Sequence, residues 1–235
     1  PEPAPAPGSD GGQEASRNAL SYEELLGLQL DDCLMSSFVC LALTATLFLG
    51  PLAQHLLQGS HDGYDKLVTY PSDWLITMRD EVVAPLTEEF VFRACCARLW
   101  DGASFPAPLI IAGLPLCFGL AHAHHFAEHM RRLENKRLAA AQVAFQLLYT
   151  SIFGAYATFL LLRTGSAIAV FLVHAFCNHM GVPDLGFLQE QHVLAHRRNA
   201  ILAVYVVGMV AFGYLLSPLT AGRPTTFRCM AASAH

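Results

Sequence analysis

The sequence predicts an all-α, polytopic membrane helical bundle of about six membrane-associated helices, with its functional site in an intramembrane cavity. Three observations carry this. Hydrophobic residues make up 54% of the 235 and charged residues 14%, against about 25% charged in a soluble domain. Five windows hold no Asp, Glu, Lys or Arg: Cys33–His61, Gly102–Ala127, Leu138–Leu162, Thr164–Pro183 and Asn199–Gly222. Each spans the ~20 residues a helix needs to cross a ~30 Å hydrocarbon layer. The 33 charged residues are confined to the other 111 positions, at about 30% density. An ordinary cytosolic globule, a coiled coil and a disordered chain are all excluded by this distribution. The net charge of −5 offers no basic face for nucleic acid. Seven cysteines, odd in number and without CxxC spacing, read as small apolar side chains in a reducing setting, not as a disulfide framework.

The elements follow in order. Residues 1–19, rich in Pro, Gly and Ser, predict a disordered stretch, and residues 1–30 together form an N-terminal tail that includes one short helix. Ser21 and Glu24 have capping-box spacing for that helix. Residues 31–220 form the membrane-embedded domain and 221–235 a C-terminal tail. A spanning helix runs over Leu34–Leu49 and ends at Gly50-Pro51. Gln58–Pro71 is polar and loop-like, and Ser72 or Asp73 can cap a helix from Trp74 to about Trp100. That helix escapes a hydropathy scan because it carries Arg79, Asp80, Glu81, Glu88, Glu89, Arg93 and Arg98, although Val82–Ala97 is otherwise mostly apolar. Helices over Leu109–His125, Leu138–Leu162, Ser166–Met180 and Ala200–Ser217 complete the set. A basic connector holding Arg131, Arg132, Lys136 and Arg137 leans cytoplasmic.

Ionisable residues inside apolar helices are costly and usually face the bundle interior, so three constellations stand out. In Glu88-Glu89-Phe-Val-Phe-Arg93, Glu89 and Arg93 are i,i+4 with the acid N-terminal, the favoured order for an ion pair. Glu88, about 100° round the helix, is then the carboxylate left for chemistry. The bland alternative is that both glutamates are solvated at an interfacial helix end. Phe118 and His122 share a face one turn apart, in a stretch that continues through His124, His125 and His129. The last three read as a polar collar at the helix end, and no HExxH motif is present. His174 and Asn178, again i,i+4, can both donate to a developing oxyanion, or they can glue two helices together. Together the three supply a carboxylate, two imidazoles and a carboxamide, an inventory that fits water activation with oxyanion stabilisation.

In these motifs, EExxxR, FxxxH and HxxxN in that order on successive membrane helices, the sequence resembles the CAAX protease and bacteriocin-processing family. The stretches APLTEEFVFRAC, FGLAHAHH, FGAYATFLLLRTG and HAFCNHMG are similar to its eukaryotic CAAX-processing branch, over roughly Leu34 to Thr220. The resemblance implies an endoplasmic reticulum membrane endopeptidase that removes the last three residues of prenylated CAAX proteins, Ras-type small GTPases among them, without a cofactor or metal. It implies that Glu88 and His122 activate water, that His174 and Asn178 form the oxyanion hole, and that Glu89, Arg93 and Phe118 support them. The family's eukaryotic members carry further membrane segments before the region matching Leu34, where this sequence has its Pro-rich stretch. Two other readings stay open: a zinc-dependent protease with Glu88, His122 and His174 as ligands, and a non-enzymatic membrane scaffold or transporter.

Overall fold

The computed structural model describes residues 21–28, 32–62, 74–121 and 136–231. The sequence stretch 1–19 and the histidines at 122, 124, 125 and 129 lie outside the described residues, as do Ser72, Asp73, Arg131 and Arg132. Among the described residues every regular element is helical, so the all-α bundle expected from the sequence is what is found.

Helix α1, Tyr22–Leu26, starts with the full capping box: Ser21 Oγ accepts from the Glu24 amide and the Glu24 carboxylate accepts from the Ser21 amide. Helix α2, Cys33–Leu47, breaks at Phe48 and continues at 69° as α3, Leu49–Asp62. The sequence placed a helix end at Gly50-Pro51. Instead Gly50 and Pro51 lie in the first turn of α3, where a proline lacking its N–H breaks no helical bond. Phe48, buried at the bend, sits edge-on to Phe176 with ring centroids 5.6 Å apart.

Helix α4 is one helical run over residues 74–102, wound in five pieces: Trp74–Met78, a π-helical Arg79–Val83, Ala84–Glu89, a second π-helical Phe90–Cys96, and Ala97–Gly102. The sequence located this helix but not its π turns. The first of them ends two residues before Pro85, whose ring would otherwise collide with the carbonyl one turn back. Helix α5, Ala107–Ala121, carries Pro115. Helix α6 is Lys136–Thr164 and α7 is Ala167–Met180. Between them Gly165 takes φ +66°, a left-handed conformation open to glycine, and Ser166 caps α7 through the Ala169 amide. Two 3₁₀ turns, Gly186–Leu188 and Ala195–Arg197, lead to α8, Arg198–Thr220, and a last turn α9 covers Arg228–Ala231.

α6 and α8 are long and apolar enough to cross a membrane, and the bent α2–α3 pair qualifies as a third span. α5 and α7 are shorter apolar helices. Only 11% of the apolar window of α8 is buried within the protein, and Val206, Val207, Met209, Val210 and Tyr214 lie exposed along it. Such a surface is stable only in an apolar surrounding. The core gathers where α5, α6, α7 and α2 meet, around Cys40, Ile110, Leu114, Leu160, Leu161, Val170 and Val173. α6 packs along α5, α7 along α2, and α4 lays its middle against α7.

The C-terminal segment closes back on α4. Asp101, buried, accepts the amides of Arg228 and Cys229 at 3.0 and 2.9 Å. Arg98 donates to the Leu25 carbonyl and to Thr226, and its guanidinium lies 3.6 Å over the Phe227 ring. One turn of α4 thus holds α1 and the C-terminal segment together. Burial first, then the hydrogen bond and charge of Asp101, push the Cys229 thiol up to about 12. Asp101→Ala removes an acceptor of two amides, each bond to a charged group being worth ~1.5–3 kcal/mol. We expect residues 223–231 to become the first site of limited proteolysis and Cys229 to be alkylated by maleimide at least ~10-fold faster at neutral pH. An unchanged alkylation rate would contradict the clamp.

All seven cysteines are free thiols, in line with their reading as small apolar side chains.

Candidate active site

The site is assembled from α4 and α7, with α5 and α6 behind it. Glu89 is almost wholly buried, and so is Arg93 (each 1% exposed). An isolated buried charge is too costly to keep, and the i,i+4 spacing supplies the partner: Arg93 Nη1 donates to Glu89 Oε1 at 3.0 Å. The same oxygen receives His174 Nδ1 from α7 at 2.6 Å. A carboxylate paired to arginine can only accept, so this contact places a proton on Nδ1. His174 is therefore turned with Nε2 toward Glu88, whose Oε2 lies 3.8 Å away. The two glutamates flank one imidazole, and they differ in access: the Glu88 side chain is 26% exposed and that of Glu89 is 2%. Glu88 is the more accessible of the two carboxylates.

The rings around this group hold it in place. Phe153 of α6 packs on the His174 ring at 4.7 Å between centroids. Arg93 lies 5.4 Å over Phe118 of α5, and Phe118 meets Phe92 edge-on at 5.1 Å. Phe118 is thus buried against Arg93. His122, its expected partner on that face, lies outside the described residues. Glu89 Oε2 and Arg93 Nε are buried with no hydrogen-bond partner among the described residues.

Asn178 and His174 lie one turn apart on α7, as their spacing requires, but their side chains have different surroundings. Asn178 is exposed, and its Nδ2 donates to the Asp80 carbonyl at 2.8 Å, in the first π turn of α4. The neighbouring His179 pairs with Glu81 at 3.0 Å. Asn178 and His179 thus tie α7 to the start of α4, while His174 is held by its middle. Among the described residues no group of three His, Cys, Asp or Glu is arranged to hold a metal ion. The zinc set considered from the sequence includes His122.

Two residues that sequence reasoning passed over shape the site. Phe153 is one. Gly154 is the other: a Cβ there would lie 3.2 Å from Arg93 Nη2 and 3.1 Å from Pro115 Cβ. The absent side chain gives the guanidinium its room. The signal for both is FGAYA, a run of small and aromatic residues shortly before the bulky run FLLL. Gly154→Ala overpacks a group already held by Glu89 and cannot shift cheaply, so we expect a loss of ~1–3 kcal/mol, read as a lower melting temperature in detergent. Unchanged stability would show that the guanidinium has slack.

Residues 70–180 match the Rce1-like family of type II CAAX prenyl endopeptidases. The CAAX prenyl protease 2 of Homo sapiens is 38% identical over 205 residues, covering 83% of this chain and 61% of that protein. That of Arabidopsis thaliana is 42% identical over 143 residues, 60% of this chain and 43% of the relative. The probable CAAX prenyl protease 2 of Schizosaccharomyces pombe is 40% identical over 145 residues, 60% of this chain and 53% of the relative. The chain therefore spans between 43% and 61% of the length of these curated relatives. No solved structure matches. The segment similar to the Rce1-like type II CAAX prenyl endopeptidases contains Glu88, Glu89, Arg93, His174 and Asn178.

Proposed function

We propose that this chain is an endopeptidase of the endoplasmic reticulum membrane that removes the last three residues of prenylated CAAX proteins, Ras-type small GTPases among them. The observation that carries the reading is the His174 imidazole between two glutamates of unequal access, inside an apolar bundle. A pair serving only to glue helices needs one carboxylate. Here the buried Glu89 already orients the ring, and the second, partly open Glu88 stands against the other nitrogen.

In this mechanism Glu88 is the general base, acting with His122 to deprotonate the attacking water. The water oxygen bonds to the carbonyl carbon of the prenylated cysteine, on the N-terminal side of the scissile bond, and the carbonyl becomes an oxyanion. His174 donates to it from Nε2, in the imidazolium form that carries protons on both nitrogens. Asn178 supplies the second donor once its amide leaves the Asp80 carbonyl. Glu89 and Arg93 hold His174 in place and do not touch substrate. The proton taken by Glu88 passes to the leaving amine as the peptide C–N bond breaks. The test is release of an intact tripeptide from a farnesylated CAAX peptide by the full chain in lipid nanodiscs. Release from the farnesylated peptide, with no release from its unprenylated twin, is the expected result. Absence of cleavage of either peptide, or equal cleavage of both, overturns the reading.

A further inference from the structure

Pro85 leaves one backbone acceptor of α4 without its helical donor. In a π turn each carbonyl accepts from the N–H five residues on. The Ala84 N–H goes to the Arg79 carbonyl in this way. The next carbonyl is that of Asp80, and the residue five on is Pro85, which has no N–H. What the Asp80 carbonyl receives instead is the Asn178 side chain, whose Nδ2 donates to it at 2.8 Å. The Asp80 carboxylate is turned the other way, to Arg79, which bonds its two oxygens at 2.6 and 3.2 Å. Asp80 and Asn178 both stand exposed, so the carbonyl and its donor are within reach of a ligand.

This acceptor lies beside the reaction centre. Asn178 is one turn, about 5.4 Å, along α7 from His174. An extended peptide advances ~3.3–3.6 Å per residue. A peptide whose carbonyl meets His174 therefore brings an N–H within two residues of that carbonyl to the level of Asp80. In the mechanism above Asn178 gives up the Asp80 carbonyl to serve the oxyanion, and the carbonyl is then open to another donor. The helices need not part for this, because His179, the next residue of α7, keeps its pair with Glu81 at 3.0 Å. We propose that the Asp80 carbonyl is a subsite for a backbone N–H of the substrate peptide, which takes the place of Asn178 there and so releases Asn178 to the oxyanion. Binding energy from one peptide link thus goes into completing the oxyanion hole. The inference rests on the protease reading for its ligand, a peptide with a prenylated cysteine near its C-terminus. Its own support is the carbonyl that Pro85 orphans and the exposed side-chain donor that fills it.

The experiment measures the affinity of the full chain, in lipid nanodiscs, for a fluorescent farnesylated CAAX peptide and for three depsipeptide twins. Each twin replaces one amide by an ester and so removes one N–H: before the prenylated cysteine, or at either link within the final three residues. The scissile amide is kept. Binding is read by fluorescence anisotropy in Glu88→Gln, so that the peptides stay intact. One twin is expected to bind ~3–10-fold more weakly than the parent, the worth of one hydrogen bond. That deficit is expected to vanish in Glu88→Gln/Pro85→Ala, where the restored N–H at position 85 fills the carbonyl. Should that variant not fold, Glu88→Gln/Asn178→Ala reads the same exchange from the other side. With the competing amide gone, the parent peptide is expected to bind at least ~3-fold more tightly and the weak twin no better than before; an Asn178 that merely braced the fold would weaken both. Equal affinity of all four peptides, a deficit that persists in the Pro85 variant, or an Asn178 variant that binds the parent no more tightly overturns the proposal. The expected affinities in a chain that, with Glu88 intact, releases no tripeptide from the parent uphold the subsite and remove the protease reading. Cleavage of the parent with four equal affinities does the reverse.

Discussion

Glu88→Gln is expected to lower cleavage of a prenylated CAAX peptide by about 10³-fold or more, within the 10²–10⁴ contribution of a positioned general base and equal to about 4 kcal/mol of barrier. The substitution keeps the size and leaves the buried pair beneath it untouched, since Glu89 bonds Arg93 and His174 through its own oxygen. The melting temperature should therefore hold while turnover falls. Because Gln cannot accept a proton at neutral pH, the loss should appear in kcat more than in KM. Turnover within threefold of wild type would remove Glu88 from the chemistry and leave its approach to His174 a structural contact.

Glu89→Ala is expected to be the most destabilising single change in the site. It leaves Arg93 buried without its carboxylate, and breaking a buried pair from one side costs ~3–5 kcal/mol. For a chain of this size that corresponds to a fall in melting temperature of roughly 10 °C. The double variant Glu89→Leu/Arg93→Met tells folding apart from function. Replacing both charges with apolar groups of similar volume is often neutral for stability, so the melting temperature should recover. Activity should not, because His174 Nδ1 loses the acceptor that orients its ring. Recovery of activity in the double variant would show that His174 does not need Glu89.

What could be read from the sequence was whatever depends on local spacing. The Glu89–Arg93 pair and the Ser21 capping box are contacts at i,i+4 or i,i+3, fixed by helix geometry alone. The membrane class was equally plain, because charge-free runs of 20 residues or more have few other uses. What the sequence withheld was of two kinds. Winding is one: nothing in hydrophobic periodicity marks an i→i+5 turn, and Gly50-Pro51 is a stop signal only inside a helix, whereas here it lies in a first turn. Long-range partnership is the other. Asn178 could be placed on the face of His174, but its bond to a backbone carbonyl of α4 depends on how the two helices dock. So does the packing of Phe153 on the His174 ring, from a helix that by sequence was only a membrane span.

The two π turns of α4 have a consequence for aim. Each carries one residue more per hydrogen-bonded ring than an α turn, and one residue is about 100° of rotation on an α-helix. Glu88 and Glu89 stand between these two phase shifts. The compass bearing of the acidic pair is therefore uncoupled from that of both ends of the helix. Arg98 and Asp101 can face α1 and the C-terminal segment, and Trp74 and Leu75 can face outward, without dictating where the glutamates point. A helix of plain α winding would have to satisfy all three directions with one rigid register.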